Sequence, residues 1–252
     1  MARRREQPPA QARAVPRARG GLGRTLLRVV VLLGVGFVVL TAVPVLALRW
    51  CDPPTSAFML EARAAAARAH QPYRTLYHWV ALEHISPEAQ LAVIASEDQG
   101  FPFHWGFDVR SIRNALRSGA SGGRMRGAST ISQQVAKNLF LWPGRSLVRK
   151  ALEAWLTVLI EVSWPKRRIL QTYLNVIELG RGIYGVQAAA GQYFHEPAAR
   201  LSREQAALLA AVLPSPRRMH PDRPSAYVLE RRDWILGQMR RLGGRAYLAN
   251  LR

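Results

Sequence analysis

The stretch from Val29 to Leu48 reads VVVLLGVGFVVLTAVPVLAL, an apolar run without a single charge. About 20 such residues cross the roughly 30 Å of a bilayer's hydrocarbon as a helix, and Pro44 near one end is tolerable there. Beyond it the pattern changes to helical periods punctuated by caps and breakers. Ser86 and Pro87 open PEAQLAVIASED as N-cap and first helical residue. Asp108 caps VRSIRNALRS, which Gly119 ends, and GASGGRMRGA follows as a glycine-rich loop. Ser129 opens TISQQVAKNLFL, and Pro143 with Gly144 breaks the chain before a helix near Leu147 to Val162. Pro165 starts another helix, running to about Glu178. Ser202 and Gln205 form a capping box before AALLAAVL, and Ser225 begins a last helix closed by Gly243 and Gly244. No run alternates as a half-buried strand would. The pattern predicts a mostly α-helical fold.

Composition adds a partner to this picture. With 252 residues, 49% of them hydrophobic, the chain can bury one sizeable core. The expected organisation is a basic cytoplasmic tail over 1–28, a transmembrane helix over 29–48 and one domain over 49–252. A formal charge of +20, from 36 basic against 16 acidic residues, implies an anionic partner: nucleic acid, anionic lipid or a phosphate-bearing substrate. Arginines crowd the tail with only Glu6 in opposition, which predicts a cytoplasmic N-terminus and a domain beyond the membrane. The apolar run is long for a cleaved signal and no A-x-A site follows, so an uncleaved anchor is expected. Cys51 is the single cysteine, which excludes an internal disulfide, and no zinc-ligand spacing occurs.

Three stretches carry candidate chemistry. In ASEDQGFPFHWGFD, Glu97, Asp98 and Asp108 stand among Phe101, Phe103 and Trp105. Glu97 closes an apolar helix, where the unpaired carbonyls, partial burial and its neighbour Asp98 suit a general base. The alternative is that Glu97 and Asp98 cap backbone amides or pair with arginines. In GASTISQQVAKNLF, Ser129, Thr130, Gln133, Gln134 and Lys137 recur at helical spacings. A helix start after a glycine-rich loop is an anion site, and Lys137 adds a point charge in a chain with only three lysines. In RSLVRKALEAWLTVLIE, Arg149 and Glu153 are four apart, a pair worth about 0.3–0.5 kcal/mol if exposed. Arg145, Arg149 and Lys150 concentrate cations beside it. Further on, Gly180, Gly182 and Gly185 call for an unusual backbone path between helices.

These stretches, with KRRILQTYLNVIELGRGIYGVQAAAGQYF and LSREQAALLAAVLPSPRRMHP, resemble in order the five motifs of the peptidoglycan glycosyltransferases (glycosyltransferase family fifty-one), over about Leu82 to Pro221. The resemblance implies an all-α, lysozyme-like fold with a smaller membrane-associated jaw lobe. It implies polymerisation of lipid II into β-1,4-linked glycan with inversion and release of undecaprenyl diphosphate. Glu97 matches the family's base and Glu153 its second essential glutamate, which orders the cationic site. Lys137, Arg145, Arg149 and Lys150 fall where the family holds the donor diphosphate, and Ser129, Gln133 and Gln134 match substrate contacts. No metal site and no required cofactor are implied, although a divalent cation, Mg or Mn, would be accommodated at Asp98. The implied partners are lipid II, the growing glycan, the membrane and proteins of division or elongation; nucleic acid is not among them. The implied place is the inner membrane, single-pass, with the domain outside. Asn114 departs from relatives that carry arginine or lysine there. The sequence has no S-x-N or K-T-G motif of a transpeptidase, as in the monofunctional form.

Two other classes stay open: a lysozyme-like glycan-cleaving enzyme and a non-enzymatic cell-wall scaffold. The first would need no lysine-arginine cluster, and the second would survive Glu97→Gln. In NLFLWPG, Leu139 and Phe140 are expected in the core. Leu141 and Trp142, beside the turn, are expected to be exposed toward the membrane.

Overall fold

The computed structural model describes residues 21–109, 113, 129–144 and 146–251. The basic tail to residue 20, most of the helix expected after Asp108, the glycine-rich loop, Asn114 and Arg145 lie outside the described residues. The chain divides into two units, one ending at Thr41 and the other Ala42–Arg252. Helix α1 is Gly21–Ala47, starting earlier than the apolar run because Arg24 and Arg28 are good helix formers and continue it. Within it Gly23–Ala47, at a mean hydropathy of 2.8, is long and apolar enough to cross a membrane.

Eight further helices are described in the second unit. They are α2 (Ala57–Arg68), α3 (Pro87–Glu97), α4 (Ile131–Phe140), α5 (Leu147–Ser163), α6 (Lys166–Val176), α7 (Val186–Phe194), α8 (Arg203–Ala211) and α9 (Ala226–Arg241). Ser86, Ser202 and Ser225 cap α3, α8 and α9 as the sequence predicts, and Ser202 with Gln205 forms the expected capping box. Two boundaries differ. The cap of α4 is Thr130 rather than Ser129, because Thr130 and Gln133 close a reciprocal capping box of their own. Helix α6 stops at Val176, and Glu178 belongs to a strand. Helix α2, opened by Ser56 accepting from the Met59 amide, was not anticipated.

The fold is mostly helical as expected, and three short strands accompany the helices. They are β1 (Leu76–Tyr77), β2 (Glu178–Gly180) and β3 (Ile183–Tyr184), in the order β1-β3-β2, with β1 parallel and β2 antiparallel to β3. Strands of two or three residues are too short to reveal a period of two. The glycine path is as expected at Gly182 and Gly185, which have φ of +76° and +81°. A Cβ on Gly185 would sit 2.4 Å from the Asn175 carbonyl oxygen. At Gly180 the demand is space instead, since a Cβ would meet the Tyr193 hydroxyl.

Helix α3 packs on α8 and α9, while α4 packs on α5 and α6. Glu88 to Ala95 are buried without a break, so α3 is enclosed on all sides. Leu91, Ile94, Val135, Leu170 and Leu174 are fully buried, each contributing about 1.5–3 kcal/mol. Leu141 joins this core at 4% exposed, against expectation, whereas Trp142 is half-exposed. The chain turns after Leu141, but its side chain still points inward. Arg168 donates to the carbonyls of Leu48 and Cys51 and to the Asp52 carboxylate, and Trp164 Nε1 donates to the Val45 carbonyl. Residues 45–52 are thereby fixed to the start of α6.

Candidate active site

Glu97 is the last residue of α3, so its side chain leaves the enclosed helix where α4 passes. Its Oε2 accepts from Gln134 Nε2 on α4 at 3.0 Å. Tyr173 on α6 donates its hydroxyl to Gln134 Oε1 at 3.2 Å. Burial pushes the Tyr173 phenol well above its ordinary value, so it stays a donor and holds the amide with its NH2 toward Glu97.

Asp98 does different work. Its Oδ1 meets His104 Nε2 at 2.8 Å and its Oδ2 accepts the Ile131 amide at 3.0 Å. One carboxylate thus ties the loop after α3 to the first turn of α4. With both oxygens engaged, Asp98 is a joint between elements. Behind it Glu161 accepts from Ser132 and from Lys166 (2.8 Å), and Lys166 also donates to the His104 carbonyl at 2.6 Å. These buried bonds hold α4, α5 and the loop in one frame.

On the other side of Gln134 lies a cavity of about 490 Å³. Its lining brings together Ser129, Gln133, Gln134, Lys137, Arg149, Lys150 and Glu153, every described residue assigned from the sequence except Glu97 itself. Glu153 is buried and bridges two cations: Arg149 Nη1 lies 2.7 Å from Oε2, and Lys150 Nζ bonds Oε1. The pair that looked like a surface i,i+4 contact is therefore internal. Arg149 Nε is buried without a partner among the described residues. Lys137 has no carboxylate within ion-pair distance among the described residues, and its ammonium stands 5.5 Å over the Phe58 ring. Burial holds Lys137 below the usual lysine value; Glu153 and Glu97 oppose that shift, while Arg149 and Lys150 add to it. Three cations against one carboxylate leave the cavity positive and suited to a multiply charged anion.

Gln133 is mostly committed to the capping box and Ser129 sits exposed at the rim. A second cavity of about 200 Å³ shares Phe58, Gln134 and Lys137 and continues past Asn138, Tyr173, Glu178 and Tyr184. Phe58 and Tyr173 are the functional-looking residues that sequence reasoning missed. The capping signal at Ser56, before the alanine-rich AFMLEARAAAAR, would have located the helix that carries Phe58.

Comparison with known proteins decides the family. Residues 65–240 match the model of the transglycosylase family, which covers well over half of the chain. The chain belongs to this family. It is similar to the biosynthetic peptidoglycan transglycosylase of Ectopseudomonas mendocina, 54% identical over 212 residues, covering 84% of this chain and 88% of the relative. The protein of the same name from Pseudomonas putida is 53% identical over 215 residues, 85% of this chain and 91% of its own. That from Escherichia coli is 53% identical over 232 residues, 89% and 92% respectively. The family match begins within α2 and ends within the last turn of α9, and so contains Glu97, the cations of the cavity and the buried frame behind them.

Proposed function

We propose that the protein is a peptidoglycan glycosyltransferase that polymerises lipid II. The donor is the growing glycan, activated at its anomeric carbon by undecaprenyl diphosphate. The acceptor is the sugar 4-hydroxyl of another lipid II. Glu97 takes the hydroxyl proton as the oxygen attacks the anomeric carbon; the bond to the diphosphate breaks, and its electron pair leaves with that group. Attack from the opposite face converts the α-linked donor into a β-1,4 linkage. A diphosphate leaves as a stable anion, so Lys137, Arg149 and Lys150 replace the protonated acid that glycoside hydrolysis needs. Glu153 orders these cations without neutralising the cavity.

The observation that carries this reading is the direct bond from Glu97 to Gln134, which lines the cation cavity. It joins the base to a side chain that lines the cavity holding the cluster of positive charge. A hydrolase would leave that cluster without a task. The apolar helix Gly23–Ala47 supports anchoring of the enzyme where its lipid-linked substrate resides, and the arginines ahead of it support a cytoplasmic N-terminus.

The test is glycan formation from purified lipid II by the full-length protein. Glu97→Gln keeps size and hydrogen bonding but accepts no proton, so polymerisation falls by about 100-fold or more with the fold intact. A near-normal rate in that variant sinks the assignment.

A further inference from the structure

The two oxygens of Glu97 face different elements. Oε2 meets Gln134 beside the cation cavity, whereas Oε1 points to Arg231 on α9, whose Nη2 lies 3.8 Å away. That separation is too long for a hydrogen bond but leaves room for a hydroxyl to contact both groups. Arg231 is incompletely partnered in another respect, because its buried Nε has no acceptor among the described residues. A guanidinium held beside a carboxylate without closing on it has capacity for a further oxygen.

The surroundings of Arg231 suit a sugar. Tyr227, Arg231, Trp234 and Gln238 recur at i, i+4, i+7 and i+11, so they form one stripe along α9. This stripe borders the seam of Val228, Ile235 and Met239, which are buried in the core. Gln238 accepts from Gln99 at 3.2 Å, which aligns the stripe with the end of α3. Tyr227 and Trp234 remain half-exposed at 49% and 48%, and the Arg231 guanidinium lies 6.0 Å from the Trp234 ring centre. A pyranose presents an apolar face of C–H groups and a rim of hydroxyls. A half-exposed indole with a guanidinium over part of its ring presents groups for both surfaces.

We propose that this edge of α9 is the wall that holds the acceptor saccharide, with Trp234 under the sugar ring and Arg231 on the oxygens beside the attacking hydroxyl. The proposal rests on Glu97 as the base, since it places the acceptor on the side of Glu97 away from Gln134. It assigns the two substrates to opposite sides of one carboxylate: diphosphate toward α4 and α5, acceptor sugar toward α9.

The experiment separates the two sides on the full-length enzyme. A lipid-free disaccharide without diphosphate serves as acceptor only, and the concentration that half-maximally caps growing chains reads the acceptor side. Inhibition by undecaprenyl diphosphate reads the donor side. Trp234→Ala and Arg231→Gln are expected to raise the half-capping concentration about tenfold and leave diphosphate inhibition unchanged. Trp234→Phe and Arg231→Lys, which retain a ring and a charge, are expected to recover part of the loss and to guard against a folding defect. Unchanged capping in the alanine and glutamine variants overturns the proposal, as does a parallel weakening of both readouts. If Glu97→Gln remains active, the base assignment itself fails. If Glu97→Gln is inactive and capping is unmoved in the α9 variants, only the acceptor wall fails.

Discussion

Replacing Glu153 by glutamine tests whether this carboxylate orders the cation cavity or acts on substrate. The side chain is buried, and its two oxygens are taken by Arg149 and Lys150. Glutamine fills the same space but leaves the buried Arg149 guanidinium uncompensated, and its Nε already lacks a partner among the described residues. Removing one partner of a buried pair costs about 3–5 kcal/mol. The Lys150 contact adds little to this, because its ammonium is half-exposed and such pairs are worth about 0–1 kcal/mol. Taking the lower figure of about 3 kcal/mol, and about 2–4 °C per kcal/mol for a unit of this size, the melting temperature falls by roughly 6–12 °C.

A second measurement makes the reasoning specific. Without Glu153, the cavity holds Lys137, Arg149 and Lys150 with no internal anion. Pyrophosphate at about 100 times its dissociation constant returns about 2.7 kcal/mol to whichever state binds it. Thermal unfolding of Glu153→Gln is therefore expected to show a low melting temperature that pyrophosphate largely restores. Polymerisation is expected to be slow, because the guanidinium is no longer aligned. An inactive variant that melts like the wild type would refute the ordering role and place Glu153 in the reaction itself.

Lys137→Ala is expected to slow polymerisation at least tenfold and Lys137→Arg to recover part of it, since a guanidinium fork is not a compact point charge. Because burial lowers the Lys137 value from the ordinary 10.5, kcat/KM falls as pH rises through that lowered value; Phe58→Ala admits water and moves the fall to higher pH, and an unmoved profile contradicts the covering role of Phe58. Gly185→Ala sets a Cβ 2.4 Å from the Asn175 carbonyl at a positive φ, so chemical denaturation is expected to show a loss above about 1–2 kcal/mol. Leu141→Ser is expected to cost about 2–5 kcal/mol by analogy with other core truncations, whereas Trp142→Ser lowers binding to anionic liposomes with little change in melting. Equal melting of those two variants would contradict the division between a core leucine and a surface tryptophan.

What the sequence made legible was local. N-cap pairs such as Ser86–Pro87 and Ser202–Gln205 act within a few residues, so their signals survive in the chain itself. Glu97 at a helix end and Gln134 with Lys137 on one helix could be placed for the same reason. The i,i+4 spacing of Arg149 and Glu153 was equally visible, but its burial was not, because the covering residues come from elsewhere in the chain. Phe58 over Lys137 and Arg231 beside Glu97 join residues from widely separated helices. The strands failed to show because two residues cannot alternate. Leu141 was misplaced by the turn residues that follow it, which predict the backbone's path but not the direction of the preceding side chain.

The distribution of lysine gives the site its logic. All three lysines, Lys137, Lys150 and Lys166, meet the cavity or the buried frame behind it. A lysine stem threads between packed side chains and delivers a compact charge, as Lys137 does beside Phe58 and Lys166 does against Glu161 and the His104 carbonyl. Arginine appears inside where several fixed acceptors need satisfying at once: Arg168 gathers two carbonyls and a carboxylate around residues 48–52. Arg149 and Arg231 depart from that rule, since each keeps a buried Nε without a partner among the described residues. These two arginines flank the candidate reaction site, one in the cation cavity and one beside Glu97. Buried donors that the fold itself does not satisfy are costly unless a ligand completes them. The buried Nε atoms are out of a ligand's reach, but the guanidinium ends stand on the two proposed substrate sides, which is the physical reason to expect that donor and acceptor, once bound, add hydrogen bonds to the site.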